Sequence, residues 1–173
     1  MALRPRGRPQ PGAPAQGAGG RAVSLRERCA RLLEALGRRF GIEGLAFDER
    51  GLCALAFDRR MTVYLAADTR LGGMVLFATL GEFEPAERPD LLLAMLRGNF
   101  MWRVTEGATL AVDPEKDVAL LVQCLSPQGL EADQLEARLE GFVNAALSWA
   151  ERLQRPPAGA PERAGLAGMM LRV

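Results

Sequence analysis

Two pairs of carboxylates, Asp48 with Glu49 and Asp113 with Glu115, and three thiols, Cys29, Cys53 and Cys124, are the residues of this 173-residue chain whose types could carry chemistry. Neighbouring acids can divide general acid and base work when their surroundings push their pKa values apart. Both pairs, however, stand in turn-forming contexts, "DERG" and "DPEKD", where acids are expected as solvated loop residues. The chain has no histidine, so the commonest general base and metal ligand is missing. An odd number of cysteines without a C-x-x-C spacing makes neither a closed disulfide framework nor a familiar zinc site. Each stands where a small apolar residue would serve, and we read all three as reduced core positions. The chain also lacks a nucleophile elbow, a phosphate loop and a dinucleotide fingerprint. We expect no catalytic residue, no metal and no cofactor.

The elements that would position these residues can be read from periodicity. Ser24 followed by Glu27 is a capping-box signature, and behind it Leu25, Cys29, Leu32, Leu33 and Leu36 recur at helical spacing until Gly37 and Gly41. From residue 45 the period becomes two. "LAFDERGLCALAFD" reads as a strand, a turn at Gly51 and a second strand, and "MTVYLAA" and "GMVLFATL" continue the meander. One parity supplies Cys53, Leu55, Met61, Val63, Leu65, Met74 and Leu76; the other supplies Ala54, Tyr64, Ala66, Val75 and Phe77. A helix of about three turns follows in "EPAERPDLLLAMLRGNF", apolar nearly all round and therefore expected to be buried. A hairpin, "GATLAVD" and "DVALLVQCL", turns at Asp113 to Lys116. The last helix is expected to open at Asp133 with Glu136 in capping-box register, its stripe running from Leu135 to Leu153. The order is α-β-β-β-α-β-β-α, an α+β fold with an antiparallel twisted sheet and three helices.

Hydrophobic residues at 49% and charged residues at 25% are those of an ordinary soluble globule. The charge of +1 conceals a split. Residues 1–23 carry Arg4, Arg6, Arg8 and Arg21 with no acid, and residues 155–173 carry three arginines against Glu162, so the body between is acidic. That argues against a nucleic-acid-binding globule, whose footprint is a basic face on the body. The apolar runs "LLLAML" and "VALLV" fall far short of the ~20 residues that span a bilayer, so membrane insertion is not expected. We divide the chain into a Pro/Gly-rich basic tail (1–23), expected to be disordered, a folded domain (24–154) and a flexible C-terminal tail (155–173).

An apolar surplus remains. A sheet with two apolar faces and a helix apolar on most sides exceed what three helices can cover, and such surfaces mark partners. The run "LLLAMLRGNFMWRVTEGATLAVDPEKDVALLVQCL", followed by "LEADQLEARLEGFVNAALSWAERL", resembles the class I type III secretion chaperones of the CesT/Tir-chaperone family. The likeness lies in a leucine-rich helix ending in Asn99-Phe100, a Thr-x-Gly-Ala-x-Leu stretch over Thr105 to Leu110, an acid-bearing turn at Asp113 and a long amphipathic last helix. It extends back to the first helix, so that it covers roughly residues 24–154.

The resemblance implies a bacterial cytoplasmic homodimer that binds the N-terminal segment of a secreted effector and keeps it soluble and fit for export, with the export apparatus as a further partner. It implies a dimer interface on the middle helix and the next strand: Leu92, Met95, Leu96, Asn99, Phe100, Trp102, Ala108, Leu110 and Val112. The effector would use other apolar surface, the exposed side of the first helix near Leu33 and Leu36 and the positions Phe47, Tyr64, Val75 and Phe77. The competing readings are a dimeric α+β regulatory or scaffolding module that binds a folded partner, and a small enzyme working with acids alone.

Overall fold

The computed structural model describes residues 23–82 and 88–155. Helix α1 (Leu25–Phe40) leads into strands β1 (Leu52–Phe57), β2 (Met61–Asp68) and β3 (Gly73–Glu82). Helix α2 (Pro89–Gly98), a 3-10 turn (Phe100–Trp102), strands β4 (Thr109–Asp113) and β5 (Val118–Leu125) and helix α3 (Ala132–Gln154) complete the order. This is the expected α+β succession. The expected tails fall outside the described residues, except for Val23 and Arg155. None of the described helices is long and apolar enough to cross a membrane.

All five strands form one antiparallel sheet in the order β1-β2-β3-β5-β4. The chain leaves the sheet after β3, crosses through α2 to the far edge as β4, and returns as β5 into the gap. Cross-strand register sorts the side chains into two faces. Cys53, Leu65, Leu76 and Gln123 make one row, and Ala78, Leu121 and Leu110 belong to the next. These are buried, and the inner stripes of α1 (Cys29, Leu32, Leu33, Leu36) and α3 (Leu135, Leu139, Phe142, Ala146, Trp149) join them in one core. At an expected ~1.5–3 kcal/mol for each large aliphatic side chain removed from water, this layer is the main stabilising term.

The helix ends follow side-chain chemistry. Ser24 Oγ accepts the Glu27 N–H at 3.2 Å, and the Glu27 carboxylate accepts the Ser24 N–H at 2.9 Å, so the expected capping box forms. Those bonds hold the Glu27 carboxyl below its ordinary range. Gly41 closes α1 in the left-handed region at φ 69°. The cap of α3 differs from expectation, because the box is made by Glu131 and Gln134. Glu136 instead pairs with Arg39 and ties α3 to the end of α1.

Residues 45–48 are not a strand. Asp48 Oδ1 accepts the N–H groups of Arg50 and Leu52 at 2.9 and 2.8 Å, so the carboxylate draws the chain into a tight turn. A local side-chain acceptor here competes with sheet pairing. Helix α2 also departs from expectation. Leu91, Met95 and Gly98 face inward, while Leu93 and Leu96 are exposed. Gly98 explains how close it packs, since a Cβ there would lie 2.5 Å from the Trp149 ring.

Candidate partner surfaces

The helices lie against one face of the sheet only, and the other is the parity of Ala54, Thr62, Tyr64, Ala66, Val75, Phe77, Thr79, Leu120, Val122 and Cys124. No charged side chain interrupts this face between its ends, where Asp68 and Asp113 turn into loops and cap backbone N–H groups. At its centre Tyr64 and Phe77 are register partners whose rings stack with centroids 5.1 Å apart and planes 16° from parallel. Tyr64, Val75 and Phe77 remain half-buried with no helix above them. Of the residues expected to bind a client, these three come together. Phe47 lies on the opposite side of the sheet, in a cleft of about 250 Å³ shared with Arg26, Ala30 and Ala67.

Leu33 and Leu36 require correction. Both are fully buried, because they belong to the inner stripe of α1 and not to its outer side. Cys124 is corrected in the other sense: it is exposed on the open sheet face, whereas Cys29 and Cys53 are core residues whose thiols burial pushes up.

A second apolar surface runs along α2 and the segment after it. Leu93, Leu96, Phe100, Met101, Trp102 and Val104 are all exposed, Phe100 by 78% and Leu96 by 70%. Large side chains are left outward because the backbone is held in an unusual course. Met101 and Trp102 adopt the left-handed region at φ 58° and 51°, and Glu106 does so at φ 52° before Gly107. Non-glycine residues in that region cost about 1–3 kcal/mol each and cluster where surfaces are used. Three side chains brace the segment. Asn99 pairs with both backbone groups of Leu110, at 2.8 and 3.1 Å. Trp102 Nε1 donates to Thr109 Oγ1 at 3.3 Å, and Gln123 Nε2 donates to the Glu106 carbonyl at 3.1 Å.

The expected interface residues therefore divide. Leu96, Phe100 and Trp102 are exposed, Leu92, Asn99 and Val112 are partly buried, and Met95, Ala108 and Leu110 lie in the chain's own core. The last three are a correction: they support the surface from below and are not on it. Leu93, Met101 and Val104 join this surface beside the residues named for it; the apolar bulk of "NFMWRV" carries the signal for the last two.

The sheet's two edges differ. In an antiparallel pair, residues alternate between facing the neighbouring strand and facing away. The pairing of Leu110 with the Asn99 amide makes it outward-facing, so Asn99 closes the β4 edge at that point. On β1, Leu52 exchanges bonds with Asp48, through its carbonyl at 2.7 Å and its N–H at 2.8 Å, so Leu52 faces outward. Ala54 and Ala56 then face outward too, and their N–H and C=O groups have no partner among the described residues.

One sheet face with charges only at its ends, one strained apolar segment and one open strand edge are surfaces suited to holding other polypeptides. The family model of the Tir chaperone protein (CesT) family matches residues 31–150, and the chain belongs to that family. No curated protein sequence matches. Among solved structures, the chain is similar to one in the HopA1–SchA chaperone–effector complex, at 20% identity and a TM-score of 0.60, over 72% of this chain and 94% of that one. It is similar to one in the complex of the Yersinia pestis type III secretion chaperone SycH with a stable fragment of YscM2, at 25% identity and a TM-score of 0.56, over 69% and 98%. A third, in the ExoT–SpcS complex from Pseudomonas aeruginosa, shares 20% identity at a TM-score of 0.55, over 70% and 96%. Among the described residues there is no group of three or more His, Cys, Asp and Glu that could hold a metal ion.

Proposed function

We propose that this protein is a type III secretion chaperone that binds the N-terminal segment of a secreted effector and keeps it soluble and fit for export. Family membership and the likeness to chaperones solved with their clients support the class. The observation that carries the site is the helix-free sheet face around the stacked Tyr64–Phe77 pair. A five-stranded, largely apolar face whose charges lie only at its ends can take side chains of many sequences, because dispersion and desolvation make few demands on identity. An extended segment would lay apolar side chains over Tyr64, Val75 and Phe77 and pair its backbone with Ala54 and Ala56 at the β1 edge. The folded-partner alternative needs no such open edge.

We further propose that the working form is a homodimer in the bacterial cytoplasm, joined through Leu93, Leu96, Phe100, Met101, Trp102 and Val104. Aromatic and Met side chains are enriched where chains meet, and this patch has three of them in sequence. Handing the client to an export apparatus is compatible with this arrangement, since the client would remain unfolded while bound. The direct test is titration of a client's N-terminal segment into wild-type protein and Phe77→Ala. Binding lost in the variant at unchanged dimer mass supports the assignment, and equal binding contradicts it.

A further inference from the structure

We propose that Gln123 is a positioning residue, a buried amide on β5 that holds the 99–108 segment in the conformation presenting Phe100, Met101, Trp102 and Val104 to a second chain. This rests on the reading of that segment as a partner surface.

Gln123 ends the cross-strand row Cys53–Leu65–Leu76, and every other member of the row is apolar. It is only 6% exposed. Its Nε2 reaches the Glu106 carbonyl at 3.1 Å, whereas its Oε1 has no partner among the described residues, and neither does the hydroxyl of the fully buried Thr105. An amide buried with one of its two polar atoms unpaired lowers stability relative to an apolar side chain of the same shape. Its one bond goes to the backbone between Glu106 and Gly107, where the chain turns back through two left-handed residues. Gly107 suits that reach: its φ of +84° favours glycine, and a Cβ there would lie 2.9 Å from Gln123 Nε2 and push the amide aside. Of the other two braces, Asn99 acts at the opposite end and Trp102 in between, through Thr109. Gln123 thus fixes the far end of a strained loop at the expense of the core beneath it.

The test replaces the amide with an isosteric apolar group. Gln123→Met should keep or raise the melting temperature. Amide hydrogen exchange over residues 100–107 should speed up about tenfold or more, and the dimer dissociation constant should rise by about the same factor. Gln123→Leu should behave likewise. Leu76→Val, across the register, is the packing control: it should lower the melting temperature and leave loop exchange and dimer dissociation as in wild type. If Gln123→Met and Gln123→Leu behave like Leu76→Val, Gln123 is an ordinary core residue and the proposal is overturned. A wild-type dimer unaffected in both exchange and dissociation by either substitution overturns the role of Gln123 alone. A wild-type chain that stays monomeric at all concentrations removes the surface reading and this role with it.

Discussion

Phe77 and Leu33 illustrate how a side chain's role follows from which face it occupies. Phe77 stacks on Tyr64 outside the helix layer, so Phe77→Ala should reduce client affinity ten- to hundredfold (about 1–3 kcal/mol) while the melting temperature stays near wild type, as measured by titration and thermal unfolding. Leu33 is sealed beneath α1, and Leu33→Ala should cost about 2–5 kcal/mol in denaturant unfolding with no specific effect on the client beyond loss of fold. The thiols give a chemical version of the contrast. Cys124 should react with a thiol reagent in native protein, whereas Cys29 and Cys53, buried and held protonated, should react only on unfolding; equal native reactivity of all three would mean the core is misassigned. The alternation in "MTVYLAA" and "GMVLFATL" was legible as two parities, including the grouping of Tyr64, Val75 and Phe77. Which parity the helices cover was not, because both are apolar and only the packing of α1 and α3 decides. Leu33 and Leu36 were misplaced for a different reason: they belong to the periodic stripe that marks the apolar side of α1, and that side is the one the core takes.

Helix α2 shows an element whose type was legible and whose exposure was not. Its apolar residues surround the axis, which on pattern alone reads as full burial. Yet only one side meets Trp149 and β4, leaving Leu93 and Leu96 outward. Leu96→Asp should therefore convert dimer to monomer by light scattering while leaving the monomer folded, since the side chain is 70% exposed within one chain. A dimer of unchanged stability would place the interface elsewhere. The caps and turns depended on finer chemistry. Ser24 with Glu27 was legible, whereas the Glu131–Gln134 box lost out to the more conventional Asp133, and the strand expected at residues 45–48 was undone by one carboxylate, that of Asp48. Edge strands carry their own prediction. Ala54→Pro removes an outward N–H on β1 without touching the β2 ladder, so it should weaken client binding with the fold retained. Val112→Pro on β4, an edge already closed at Leu110 by Asn99, should leave client binding intact.

At the scale of the molecule, one layer of helices on one face of a sheet leaves the other face, one edge and one strained segment uncovered, and these lie on different parts of the surface. Client binding and self-association should then be separable, Phe77→Ala affecting the first and Leu96→Asp the second. The acidic body with basic sequence at either end was legible from charge alone, and it argues against a nucleic-acid-binding globule. The family likeness was legible because it rests on a run of elements with fixed order, not on a catalytic signature, and residues 31–150 carry it. The central claim is that the open face holds an unfolded segment. Hydrogen exchange on a complex with the N-terminal segment of a secreted effector that co-purifies with this chain measures it most directly. Protection is expected at β1 and over the strands bearing Tyr64, Val75 and Phe77, with the client protected only along a short extended stretch and exchanging freely elsewhere. Protection confined to other surfaces of the chain, or a client that remains a folded domain when bound, would contradict it.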